Sequence, residues 1–96
     1  MPLYTFVMEY AGGSYVSQVK ALSPKTACVN WAKELDVGKV VGLGQGSKLA
    51  LIKEMKEGAP VSVQNTLGVW CATALVGGKL ALITFVQTEK PEKETT

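Results

Sequence analysis

The side chains best able to do chemistry in this sequence are two thiols, ten ammonium groups and eight carboxylates. There is no histidine, and all ten basic residues are lysine, so arginine is missing as well. The side chain that most readily moves protons near neutral pH is thus absent. So is the planar fork that clamps carboxylates and phosphates bidentately. Cys28 and Cys71 form no C-x-x-C pair and no four-ligand zinc set. Both have apolar neighbours, as buried structural thiols do. A nucleophile needs a base beside it, and Cys28, Cys71, Lys20 and Glu9 are the raw material. No local motif ties them together. The expectation is a chain with no catalytic residue, no metal ligand and no cofactor.

One segment invites a phosphate-binding interpretation. Gly42, Gly44 and Gly46 precede Ser47 and Lys48. Glycines let a backbone approach an anion closely, a following helix offers free N–H groups, and Lys48 adds charge. The spacing is G-x-G-x-G rather than G-x-G-x-x-G, and the serine precedes the lysine instead of following it. A plain connector fits the same residues. Gly42, Gly44, Gly46, Ser47 and Lys48 are therefore carried forward as a candidate anion loop.

A second cluster is aromatic. Tyr4, Phe6, Tyr10 and Tyr15 alternate on one face of an N-terminal hairpin, with Lys20 and Lys25 near its end. Such rings can stack unpaired bases on a sheet surface or form an inward face beneath a helix. A net charge of +2 weighs against nucleic acid. A small-ligand, anion or single-stranded nucleic-acid binder built on this cluster and the glycine segment is the alternative to a protein-interaction module.

These residues need elements to hold them. Leu3 to Tyr10 and Tyr15 to Leu22 flank two adjacent glycines and predict a hairpin with its turn on Gly12-Gly13. That register pairs Tyr10 with Tyr15 and Met8 with Ser17. Ser23-Pro24 is an N-cap followed by a proline suited to the first helical position. Ala27, Cys28, Trp31, Ala32 and Leu35 then recur at helical spacing, with the exit near Asp36 and Gly38. Ser47 is the expected cap of a second helix through Glu57, with Leu49, Ile52 and Met55 on one face. Val61 to Val63 predicts a short strand. Val69 to Val76 and Lys79 to Val86, joined by Gly77-Gly78, predict a hairpin apolar on both faces.

The opening pattern of Tyr4, Phe6, Val7, Glu9, Tyr10, Gly12, Gly13, Tyr15, Val16 and Ser17 resembles the start of HicB-type antitoxins. The likeness extends over about 30 residues, through a helix rich in alanine. It lacks that family's Pro- and Gly-containing loop between second strand and helix, and its C-terminal DNA-binding extension. The resemblance implies a toxin-neutralising or accessory role, and no functional residue is carried across.

The expected fold is α+β, an antiparallel sheet of four to five strands in the order ββ-α-α-ββ with one or two short helices packed on it. Residues 1–88 are expected to form one domain, and the charged residues 89–96 a disordered tail. Ninety-six residues bury roughly two-thirds of their surface, enough for one core. No apolar run reaches the about 18 residues of a membrane span, and no secretory signal opens the chain, so a cytoplasmic protein is expected. Three alanines on the Trp70 face (Ala72, Ala74 and Ala81) invite the helix bearing Trp31. Two short helices hardly cover both faces of the sheet. Cys71, Thr73, Leu75, Leu80, Leu82 and Thr84 are therefore expected to meet a second copy of the chain in a homodimer. A further protein partner is expected, whereas nucleic acid and membrane are not.

Overall fold

The computed structural model describes residues 1–88, and the tail expected at 89–96 lies outside the described residues. Strands β1 (Leu3–Tyr10) and β2 (Gly13–Lys20) form the first hairpin. Helices α1 (Pro24–Glu34) and α2 (Gln45–Glu57) follow, separated by a 3-10 turn over Val37–Lys39. A short strand β3 (Val61–Ser62) then leads to the second hairpin, β4 (Val69–Val76) and β5 (Lys79–Thr88). The five strands make one antiparallel sheet in the order β2-β1-β5-β4-β3, so the two hairpins join through β1 and β5. The α+β class and the ββ-α-α-ββ order are those expected.

The first turn is displaced from its expected place. Ala11 and Gly12 are its central residues, with φ of 51° and 82°, and Tyr10 pairs with Gly13. Positive φ at both positions is what a primed hairpin turn requires. Gly13 instead opens β2, where an added Cβ would lie 2.5 Å from the Tyr15 hydroxyl. That hydroxyl accepts the Val41 N–H at 3.2 Å, so the ring is tied to the inter-helix segment. Met8 consequently faces Tyr15, and Phe6 faces Ser17. The shift is two residues, one full pleat period, and every side chain keeps its face. The second hairpin has the expected register, with Gly77 and Gly78 in its turn and Trp70 opposite Phe85.

Both helices lie on one face of the sheet. Ser23 caps α1 by accepting the Thr26 N–H at 3.2 Å, and Ala27, Cys28, Trp31 and Ala32 are buried. Trp31 stacks on Phe6 at 5.2 Å, Phe6 on Phe85 at 4.3 Å and Phe85 on Trp70 at 5.5 Å. The stack runs from α1 through β1 and β5 to β4. Helix α1 packs over β2 and reaches β1 through Trp31, while α2 packs over β4. The helix above the alanine-bearing strand is therefore α2, not the Trp31 helix expected there. Small side chains at Ala74 and its partner Ala81, both buried, permit that approach.

Two expectations for α2 are corrected. Gly44, in extended conformation, is the residue before the helix, and it offers no side-chain cap; Ser47 lies inside the first turn. The buried residues are Leu51 and Met55, an i, i+4 pair, whereas Leu49 is exposed. Leu43 is buried immediately before the helix, anchoring its entry to the core.

The two helices are joined by an ammonium group. Lys25, in the first turn of α1, donates to the carbonyls of Met55 at 2.9 Å, Lys56 at 2.7 Å and Gly58. A cation is unfavourable at its own helix N-terminus, but here it meets the negative end of the neighbouring helix and satisfies carbonyls left open there. Lys25→Met keeps much of the stem and removes the charge. We predict a loss of about 1–2 kcal/mol in urea unfolding. An unchanged midpoint would show that these bonds add nothing to stability.

Candidate interaction surface

The alternation that buries Tyr4, Phe6, Met8 and Tyr10 beneath the helices turns Leu3, Thr5, Val7 and Glu9 to the other side. No described helix covers that face. Its central row runs across all five strands as Val16, Val7, Thr84, Cys71 and Val61. The next row is Ser14, Glu9, Leu82 and Thr73, and beyond it Leu80 pairs with Leu75. Leu75 is 68% exposed, Leu80 60% and Leu82 40%. At the opposite end the face becomes polar. There Gln18 donates to Thr5 at 2.9 Å, and the Thr5 and Thr88 hydroxyls bond at 2.5 Å.

The six residues singled out from the sequence, Cys71, Thr73, Leu75, Leu80, Leu82 and Thr84, thus form one contiguous patch on β4 and β5. Sequence reasoning missed Val7, Val16 and Val61, which extend it across the sheet. The signal was the non-polar residue at every second position. It could be used only once β1 was known to lie beside β5.

The residues of the candidate anion loop divide between the inter-helix turn and the start of α2. Gly42 sits in the inter-helix turn with φ of 83°, Gly44 is the cap residue, and Gly46, Ser47 and Lys48 belong to the first turn of α2. The loop leans on the second hairpin: Gly77 lies against the Ser47 and Tyr10 hydroxyls, and Tyr10 donates to the Val76 carbonyl at 2.9 Å. Tyr4, Phe6 and Tyr10, weighed as stacking rings, are core residues, and Tyr15 is half-buried.

Two clefts flank the helices. One of about 400 Å³ lies between the end of α2 and β4, lined by Cys28, Met55, Pro60 and Ala72 among others. A second, about 420 Å³, runs beside β2 and is lined by Ser14 to Val19 with Trp31, Leu35 and Val40. Both cysteines are free thiols. Burial pushes the Cys28 thiol up to about 11, against a smaller opposing pull from the Lys25 ammonium.

Comparison with protein families, with curated proteins and with solved structures gives no match for this chain.

The raised Cys28 value has a stability consequence. The unfolded thiol ionises near 9, while the folded one holds its proton to about 11. Between those values the folded state binds more protons, so stability falls as pH rises and levels off above about 11. We predict that Cys28→Ala removes roughly 2–3 kcal/mol of that decline, measured by urea unfolding across the interval. Parallel pH profiles for both proteins would contradict it.

Proposed function

We propose that this chain is a non-catalytic protein-interaction module that works as a homo-oligomer, with the uncovered sheet face as its contact surface. The observation that carries this proposal is the run of leucine and valine on that face, opposite the one on which both helices pack. Monomeric proteins seldom leave large contiguous apolar patches in water. Four strands of eight to ten residues with the two-residue β3 present about 600 Å². Two such faces together bury about 1,200 Å², the lower bound of a standard specific interface. Cys71, Thr73 and Thr84 keep the centre narrow and slightly polar, so two copies can approach closely there. The cytoplasm is the proposed compartment, and the two free thiols fit a reducing one.

Leu82→Lys tests this function. Leu82 is partly exposed in the single chain, so the fold tolerates the change, whereas a dimer must bury the new ammonium at a desolvation cost that its cross-strand neighbour Glu9 offsets only in part. Sedimentation is expected to show the native chain as a dimer or larger. The variant should be one step smaller, with self-affinity weakened at least about 100-fold and its circular dichroism unchanged. A native chain that stays monomeric at millimolar concentration contradicts the proposal.

A further inference from the structure

The outer edge of β2 is a second surface without a partner among the described residues. The sheet ends there, and β2 runs its eight residues in unbroken register with β1. In the two-residue hairpin, Tyr10 and Gly13 exchange backbone bonds, and the pattern alternates along the ladder. The Ala21 N–H donates to the Pro2 carbonyl at 3.2 Å, which continues the same phase. Ser14, Val16, Gln18 and Lys20 therefore point their N–H and C=O groups outward, away from β1. Edge strands are ordinarily protected by proline, a bulge or several charges. This one has no proline, no bulge and a single charge, Lys20, at its end. A cleft separates this edge from the end of α1 and the 3-10 turn, whose Glu34, Asp36 and Lys39 line it.

We propose that two copies of this chain join edge to edge through β2, making one continuous ten-stranded antiparallel sheet about a two-fold axis normal to it. The register follows from the residues. Placing Ser17 opposite the partner's Ser17 pairs Val16 with the partner's Gln18 and Ser14 with the partner's Lys20. All four outward residues of each copy are then used, and each such pair exchanges two hydrogen bonds. A shift of two residues either way strands one of them against a turn. The same register matches charge. Within one copy Ser14 is flanked by Glu9 on β1, so the partner's Lys20 ammonium arrives in the row of that carboxylate. The two-fold repeats the pairing at the other end. Ser17 is exposed and lies on the helix side, where the cleft leaves room for the facing strand.

This edge contact does not depend on the face contact proposed above. If both form, their axes are at right angles, one normal to the sheet and one in its plane, as a closed tetramer of dihedral symmetry requires. Facing Ser17 residues form a non-hydrogen-bonded pair with Cα atoms about 4.5 Å apart, within reach of a disulfide.

The test uses the full chain with Ser17→Cys under mild oxidation, compared with the native chain and with Val16→Cys. Ser17→Cys is expected to run as a covalent dimer, and Val16→Cys, whose facing residue is the partner's Gln18, is expected to match the native background. Ser17→Lys sets two ammonium groups against each other on the axis. It is expected to speed exchange of the Val16 and Gln18 amides by about tenfold or more, leaving those of Tyr15 and Val19 slow. No covalent dimer above background, with Val16 and Gln18 amides already fast in the native chain, overturns the edge pairing. That result would leave the face contact standing. Protection of those amides that appears only when an extended peptide is added would likewise overturn it, in favour of a foreign strand. Cross-linking at Ser17 with sedimentation unaffected by Leu82→Lys would uphold the edge pairing and remove the face contact.

Discussion

The stack of rings from Trp31 through Phe6 and Phe85 to Trp70 decides which side of this sheet is inside. Each strand ring is an alternate-position residue, so once the stack forms, the parity of β1, β5 and β4 is settled along their whole length. Tyr4 packs edge-on against both Phe85 and Trp70 and ties in a second row. A one-residue slip in any of these strands would carry an aromatic ring into water. Nothing comparable fixes the opposite side, which receives whatever residues parity leaves.

The helices follow from that choice. Trp31 draws α1 across β1 and β2, and the small residues Ala74 and Ala81 let α2 settle near β4. Lys25 then joins the start of one helix to the end of the other. With two short helices committed to one face, the other is left with Val7, Val16, Leu75, Leu80 and Leu82. The high apolar content of so short a chain is thereby divided between a core and an uncovered surface. A surface of that composition is stable in water chiefly when something covers it, which links the packing of the core to the proposed assembly.

Much of this was legible from local signals. The double-glycine turn of the second hairpin, the Ser23-Pro24 helix start and the stripe from Ala27 to Leu35 each depend on a few neighbouring residues, and each lies where expected. Three features depended on distant contacts. The first hairpin placed its turn one residue early because Gly13 makes room for the Tyr15 ring, a packing demand that the spacing of glycines does not reveal. Helix α2 turned Leu51 rather than Leu49 inward because its phase is set by the strands beneath it. The adjacency of β1 and β5 was invisible to pattern, and with it the extension of the apolar patch to Val7 and Val16. The glycine segment before Ser47 looked like a loop, whereas Gln45 and Gly46 already belong to α2.

Assembly through the uncovered face is the central functional claim, and contact between copies can be observed directly. A mixture of isotope-labelled and unlabelled chains, with nuclear Overhauser effects filtered for pairs between molecules, reports which methyl groups meet across an interface. Cross-molecule effects joining the methyls of Leu75, Leu80 and Leu82 are predicted, with none from the buried Leu51. Their absence in a sample that sediments as an oligomer would contradict the account, because the chain would then be assembling through some other surface.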